Sequence, residues 1–160
     1  MQNLMIKSGS RYRKATPVEV AEVHASYIVA LVNKTRPALG APAASTQFLR
    51  EMLAGLDYEV FVVVLLDNRH RVIVVEQMFR GTIDGASVHP REVVKAALVN
   101  GAAAVIFAHN HPSGVAEASQ ADVLITRRLR DALALVDIRV LDHIIIGLDK
   151  SMSFAERGLL

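Results

Sequence analysis

Two histidines separated by a single residue, His109 and His111, begin the part of the sequence whose residue types can do chemistry. They follow directly on a short apolar run, residues 102–108, and in an extended segment residues i and i+2 project to the same side. Imidazole nitrogens are common zinc ligands. The spacing therefore predicts that both histidines bind one metal ion, with Asn110 pointing away.

A carboxylate on the next predicted helix, Asp122, is a third candidate ligand. At about 100° per residue it lies about 20° from Leu129 on the helical wheel and so faces inward, whereas Asp131 faces water. An unpaired buried charge is costly, and a metal shared with the two histidines would balance it. The predicted metal ligands are His109, His111 and Asp122.

The predicted metal is zinc. The chain has no cysteine, which excludes thiolate ligands and disulfides and leaves histidine, carboxylates and water to hold any metal. Two histidines and one carboxylate leave a fourth zinc position open for water. Zinc lowers the pKa of such a water to roughly 7, which supplies a hydroxide nucleophile at neutral pH. This is the chemistry of a zinc hydrolase.

Purely structural explanations exist for each of these residues. Ser119 and Asp122 match the helix capping box [ST]-x-x-[DE], which explains them as well as a site does. A single histidine is more often structural or exposed than a ligand. The joint placement of two histidines at a strand end and an inward carboxylate on the following helix favours a functional site.

The pattern H-x-H-P-S-G-x-x-x-x-S-x-x-D, which begins at His109, resembles the signature of the JAMM, or MPN-plus, metalloproteases. The neighbouring segments FRGTIDGASVHPREVVKAAL, IRVLDHIIIG and SFAERGLL are similar to the RadC branch of that family. The resemblance covers roughly residues 58–160 and implies a deaminase-like JAMM/MPN fold. In full-length RadC relatives a helix-hairpin-helix module precedes the catalytic domain. Residues 1–44 show no such module, so the chain is similar to the short relatives carried on mobile elements.

The resemblance also implies roles for individual residues. Carried over by position, it makes His109, His111 and Asp122 zinc ligands and Ser119 a residue that helps to hold the oxyanion of the transition state. It implies that a glutamate at the start of the first hairpin strand, Glu59 here, is the general acid and base.

Three other glutamates are possible rivals of Glu59. Glu117 lies in a loop with no regular element to hold it, and Glu92 is explained by the dipole of the helix whose first turn it occupies. Glu76 could be an outward strand residue or a rival for the acid-base role.

The remaining histidines receive structural interpretations. His89 is expected to cap or pack at a helix entrance, His24 to lie in the core on an apolar helical stripe, and His70 to be exposed in a hairpin turn. His143 is expected to be partly exposed on a strand, with orientation of a metal ligand as the alternative.

The elements that must position the site follow from the apolar pattern of residues 58–160. Residues 58–79 are rich in β-branched residues around the turn 67–69, which predicts an antiparallel hairpin. Pro90 predicts the start of a helix that ends before Gly101, and the run 102–108 predicts a central strand covered on both faces. The last predicted elements are a helix over 119–136, a strand over 138–147 and a short piece over 152–154.

The first part of the chain is predicted to form a helix and a linker. An apolar stripe predicts an amphipathic helix over residues 17–33; its members are Val20, Val23, Tyr27 and Leu31. Residues 33–44 are linker-like, and Ser45 or Thr46 could cap a short helix that reaches Gly55. The predicted division is an N-terminal helix and linker, 1–44, and a catalytic domain, 45–160.

Composition completes the prediction of fold class. A chain of 160 residues that is 52% hydrophobic suits one compact domain, and no stretch is long and apolar enough for a membrane helix, so a soluble cytosolic protein is expected. The net charge is +2 and the pI about 9.2, with basic runs at residues 11–14 and 127–130 that are expected to be a solvated tail and a solvated helix face. The order of elements predicts a three-layer α-β-α sandwich with a mixed sheet.

Three candidate functions follow from these features. The first is a zinc metallohydrolase that cleaves an amide or isopeptide bond in a peptide substrate. The second is a DNA-associated accessory protein of DNA repair or mobile elements, with a non-catalytic zinc site and basic runs that contact phosphate. The third, a zinc deaminase acting on a base, needs cysteine ligands that this sequence lacks.

Overall fold

The structure is a computed structural model that describes residues 4–8, 11–81 and 88–160. Residues 82–87, within the family-like segment before the histidine motif, lie outside the described residues. The elements are β1 (Met5–Ser8), β2 (Arg11–Lys14), α1 (Pro17–Thr35), α2 (Pro42–Leu53), β3 (Glu59–Leu66), β4 (Val72–Gly81), α3 (Pro90–Val99), β5 (Ala104–Asn110), α4 (Gln120–Ala134), β6 (Arg139–Ile146) and β7 (Ser151–Ser153). No helix in the described ranges combines the length and the apolarity that crossing a bilayer requires.

The main sheet has the strand order β4-β3-β5-β6-β7 and is mixed. β3 and β4 form the predicted antiparallel hairpin, and β5 pairs antiparallel with β3 but parallel with β6. β5 is therefore the central strand, as its wholly apolar run predicted. All seven of its residues are buried, because helices cover both faces of the sheet.

Helices pack on both faces of this sheet, which separates the two largest clusters of buried apolar residues. Along β3, Val62 and Val64 belong to the core under α1 and α2, whereas Phe61 and Val63 belong to the core under α3 and α4. This alternation is the period of two expected of a strand that is buried on both faces. The predicted three-layer α-β-α sandwich is confirmed.

Helix α1 forms where it was predicted but presents a different face to the core. Val23 and Tyr27, from the predicted apolar stripe, are 52% and 63% exposed. The helix packs instead through a second stripe, which includes Ala21, Ala25 and Ile28. The two stripes lie roughly 125° apart on the wheel, so periodicity alone could not choose between them. The placement of His24 in the core was wrong for the same reason, since its side chain is exposed.

Other elements near the N-terminus also differ from the prediction. The basic residues expected in a solvated tail belong to the hairpin of β1 and β2, in which Arg11 pairs with Ser8. Helix α2 begins at Pro42 rather than after a cap at Ser45 or Thr46, because proline suits the first helical position. The predicted division at residue 44 falls inside α2, and the division into two units stays a prediction.

Candidate metal centre and active site

The candidate site lies at the carboxyl end of β5, beside the start of β3 and the N-terminus of α4. In the sheet register His109 is the partner of Phe61 on β3 and of Ile145 on β6. The ring of His109 is completely buried and stacks on Phe61 with the centroids 6.0 Å apart. Pairing on both sides of β5 thus fixes the backbone from which the first histidine projects.

The loop after β5 is held against the end of β6. The amide of His111 donates to the carbonyl of Ile146 (2.9 Å), and the amide of Leu148 donates to the carbonyl of Gly114 (3.1 Å). A Cβ atom on Gly147 would lie 2.4 Å from the Gly114 oxygen, so only glycine permits this approach. The close contact keeps the second histidine beside the first.

The two imidazoles meet through their Nε2 atoms, which are 3.0 Å apart. The Nδ1 atom of His111 lies 2.8 Å from the carbonyl oxygen of Val115. Because a carbonyl can only accept, Nδ1 carries the proton and, in the neutral ring, Nε2 keeps its lone pair. Burial is the main cause that lowers the pKa of His109 to about 4, so the ring of His109 is neutral at pH 7.

Asp122 faces inward, as predicted, and is 3% exposed. Its Oδ1 lies 3.3 Å from Nε2 of His109, and its Oδ2 lies 3.9 Å from Nε2 of His111. Oδ2 accepts hydrogen bonds from the amide and the hydroxyl of Ser119, at 2.8 and 2.7 Å. The Ser119 oxygen in turn accepts from the Asp122 amide (3.1 Å), which completes the capping box that begins α4. The cap thus holds the carboxylate against both histidines.

Glu59, the first residue of β3, places its carboxyl group beside the same two rings. Its Oε1 lies 4.0 Å from Nε2 of His109 and has no hydrogen-bond partner among the described residues. Burial, followed by the negative charge of Asp122, raises the pKa of Glu59 to about 7. One ligand atom from each of Glu59, His109 and His111 lies within 4.8 Å of the other two, so these three groups could hold a metal ion.

The rival glutamates lie elsewhere. Glu76 is opposite Val63 in the middle of β4, Glu92 pairs with Arg91 in the first turn of α3, and Glu117 is exposed. In the part of the chain that the structure describes, Glu59 is the one glutamate in the histidine cluster. The structure thus brings the five predicted site residues together, and their individual roles stay predictions.

His143 is buried, and its predicted partial exposure was wrong. Its ring is 0% exposed because β7 and the residues after it cover this part of β6, with Phe154 stacked on the imidazole at 4.6 Å between centroids. Nε2 of His143 lies 2.8 Å from Nδ1 of His109, and its Nδ1 lies 2.6 Å from the hydroxyl oxygen of Thr126. Burial, and then the two histidines of the motif, hold the pKa of His143 well below its usual value.

Asn110 supports the site in a role that the sequence pattern did not predict. As predicted, it points away from the two histidines, and its side-chain amide donates to the carbonyl of Tyr58 (2.9 Å) and accepts from the amide of Val60 (2.8 Å). These two contacts flank Glu59 along β3, so Asn110 holds the backbone from which the glutamate projects. A polar residue at the end of an apolar strand was the available signal.

The last two histidines lie outside the site. His89 is at the N-cap position of α3, as expected, but its side chain makes no capping hydrogen bond. His70 lies in the β3–β4 turn, where it is half-buried rather than exposed and has a φ of 56°.

The mixed sheet with helices on both faces is that of a JAB/MPN-type α/β domain, and the cluster of histidines and carboxylates at the end of its central strand could hold a metal ion. Residues 39–159 match the family described as "RadC-like JAB domain". The chain belongs to this RadC family.

Curated relatives carry a family name without a stated activity. The chain is 66% identical to a UPF0758 protein of Thioalkalivibrio sulfidiphilus over 123 residues, which are 77% of this chain and 55% of the relative. It is 65% identical to a UPF0758 protein of Nitrosococcus oceani over 74% of this chain and 53% of the relative. It is 63% identical to a UPF0758 protein of Vibrio cholerae over 72% of this chain and 73% of the relative. The chain thus spans about half the length of the first two relatives.

Proposed function

We propose that this chain is a zinc-dependent hydrolase of the metallopeptidase or isopeptidase type. One observation carries the proposal: two histidine Nε2 atoms lie 3.0 Å apart, with the Asp122 carboxylate 3.3 Å from the first of them and the buried Glu59 oxygen 4.0 Å from it. Four electron-pair donors converge here, and among the described residues no lysine or arginine forms an ion pair with either carboxylate.

The donor set fits zinc. Imidazole nitrogen and carboxylate oxygen are ligands that zinc prefers, and two nitrogens on one tetrahedral zinc are roughly 3.3 Å apart for bonds of about 2.0–2.1 Å. The Nε2 atoms of His109 and His111 lie close to that spacing, at 3.0 Å. Asp122 would be the third ligand, since its carboxylate approaches both rings. When bound, zinc polarises the substrate carbonyl and acidifies the attacking water.

Glu59 and Ser119 supply the other catalytic functions in this proposal. The unpartnered Oε1 of Glu59 takes a proton from the attacking water and delivers it to the leaving amine. Ser119 has one hydroxyl proton, which it donates to Asp122 in the structure. To hold the oxyanion of the transition state, that O–H must turn toward the substrate, while the Ser119 oxygen still accepts the amide that caps α4.

The experiment compares Glu59→Gln with Glu76→Gln. A screen of peptides and isopeptides first identifies a substrate that the wild-type chain cleaves. We expect Glu59→Gln to keep its zinc and its fold but to lose at least ~100-fold in turnover, the low end for removing acid-base catalysis, whereas Glu76→Gln stays near wild type.

Other outcomes contradict the proposal in different ways. If Glu59→Gln loses its zinc, the glutamate is a fourth protein ligand and the site is closed and structural. If Glu76→Gln abolishes turnover while Glu59→Gln does not, the acid-base assignment must be reversed.

A further inference from the structure

We propose that Thr126 and His143 are positioning residues that fix which ring nitrogen of His109 faces the metal. The inference rests on the proposed function only in taking His109 as a ligand. It concerns two side chains that lie behind the candidate ligands and touch neither a substrate nor the reacting atoms.

A continuous chain of short contacts runs through the core behind the site. The hydroxyl oxygen of Thr126 lies 2.5 Å from the backbone carbonyl oxygen of Asp122 and 2.6 Å from Nδ1 of His143. Nε2 of His143 then lies 2.8 Å from Nδ1 of His109. Thr126 is 1% exposed and both rings are fully buried, so water does not compete for these contacts.

The direction of each hydrogen bond follows from the carbonyl at the start of the chain. A carbonyl oxygen only accepts, so the single hydroxyl proton of Thr126 is donated to Asp122. The threonine oxygen must then accept from Nδ1–H of His143. In the neutral ring this leaves the Nε2 lone pair of His143 to accept from Nδ1–H of His109. His109 therefore keeps its own lone pair on Nε2, the atom that faces His111.

The chain of contacts begins and ends at candidate ligands. Asp122 supplies the carbonyl that starts it and the carboxylate beside the metal position, while His109 ends it. Packing restricts rotation of the two rings, because Phe154 stacks on His143 and Phe61 stacks on His109. A ligating histidine whose other nitrogen is bonded in this way is fixed in both tautomer and orientation.

The first measurement is the position of the ring protons in the 160-residue chain. Two-bond ¹H–¹⁵N correlation spectra of the ¹⁵N-labelled protein, with zinc and after chelation, identify the protonated nitrogen of each histidine. We expect the proton on Nδ1 in both His109 and His143. A proton on Nε2 of either ring in the chelated protein overturns the proposal, whatever the activity of the protein.

The second measurement is zinc affinity in matched threonine variants. Thr126→Val removes the hydroxyl at nearly constant volume, so that His143 loses the acceptor of its Nδ1 proton. Thr126→Ser keeps the hydroxyl. Thr35 makes the same local bond to a backbone carbonyl four residues earlier, at 2.9 Å. Its side chain is exposed at the end of α1, and among the described residues it makes no hydrogen bond to a histidine. Thr35→Val is therefore the matched control.

We expect Thr126→Val to bind zinc 10- to 100-fold more weakly, the usual range for removing such a supporting contact, and to move the proton of His143 from Nδ1 to Nε2. Thr126→Ser should restore both properties, and Thr35→Val should change neither. Wild-type affinity in Thr126→Val overturns the proposal. If the wild-type chain binds no zinc, the proposed function fails. The tautomers of His109 and His143 in the metal-free chain still decide whether Thr126 and His143 fix the protonated nitrogen of His109.

Discussion

Two helices of this molecule begin with the same local motif in different surroundings. At α1 the hydroxyl of Thr16 accepts the amide of Glu19 (3.2 Å), and the Glu19 carboxylate accepts the amide of Thr16 (2.8 Å). At α4 Ser119 and Asp122 make the corresponding pair of bonds, at 3.1 and 2.8 Å. Both helices thus begin with a complete capping box.

The environments of the two carboxylates differ. Glu19 lies at the surface and pairs with Arg13, whose hydrogen bond is the main cause that lowers the pKa of Glu19 to about 2. Asp122 is buried and faces His109 and His111. The motif therefore explains where each helix begins, but only the elements packed against it decide whether its carboxylate can also bind a metal.

Removing the carboxylate charge should affect zinc binding very differently at the two capping boxes, and this is the largest difference that we expect between them. Asp122→Asn keeps an oxygen that can accept the capping bonds but removes the negative ligand, so we expect zinc affinity to fall by at least ~100-fold, as much as or more than removing a supporting contact costs. Glu19→Gln makes the same chemical change at α1 and should leave zinc affinity unchanged. Zinc content after dialysis and calorimetric titration measure both. Retention of tight zinc binding in Asp122→Asn would remove Asp122 from the ligand set.

A smaller difference is expected for the serine and threonine at the N-caps. Aspartate caps a helix about as well as serine, so Ser119→Asp and Thr16→Asp should both keep a melting temperature near that of wild type. Ser119→Asp also loses a neutral donor beside the metal, and its turnover should fall by about 100-fold, the scale of one oxyanion contact. Thr16→Asp should keep full turnover. Unchanged turnover in Ser119→Asp would leave Ser119 as a helix cap alone.

The smallest expected effect is a loss of stability that should be the same at the two capping boxes. Ser119→Ala and Thr16→Ala each remove one capping oxygen, and each should lower the free energy of unfolding by ~1 kcal/mol. Urea denaturation of the zinc-free protein compares the two without the contribution of bound metal. A much greater loss at Ser119 would mean that its hydroxyl stabilises the buried carboxylate as well as the helix end.

Much of the fold could be predicted from the sequence, because a strongly apolar strand has few positions in a fold other than the buried centre of a sheet. β5 is apolar from Ala104 to Ala108 and is buried on both faces, and the hairpin of β3 and β4 formed around the predicted turn. Helix α1 shows where this reasoning fails. Two apolar stripes satisfied the same periodicity, and the smaller side chains of Ala21 and Ala25 lie on the stripe that packs against the core.

The sequence by itself determined the candidate ligands and the cap. The spacing of His109 and His111 and the inward phase of Asp122 are properties of one strand end and one helix, and local geometry sets both. Only the tertiary structure decided what surrounds them. His143 reaches His109 through the parallel register of β5 and β6, and Thr126 reaches His143 through the docking of α4. Contacts between elements distant in sequence depend on register and packing, which no local pattern encodes.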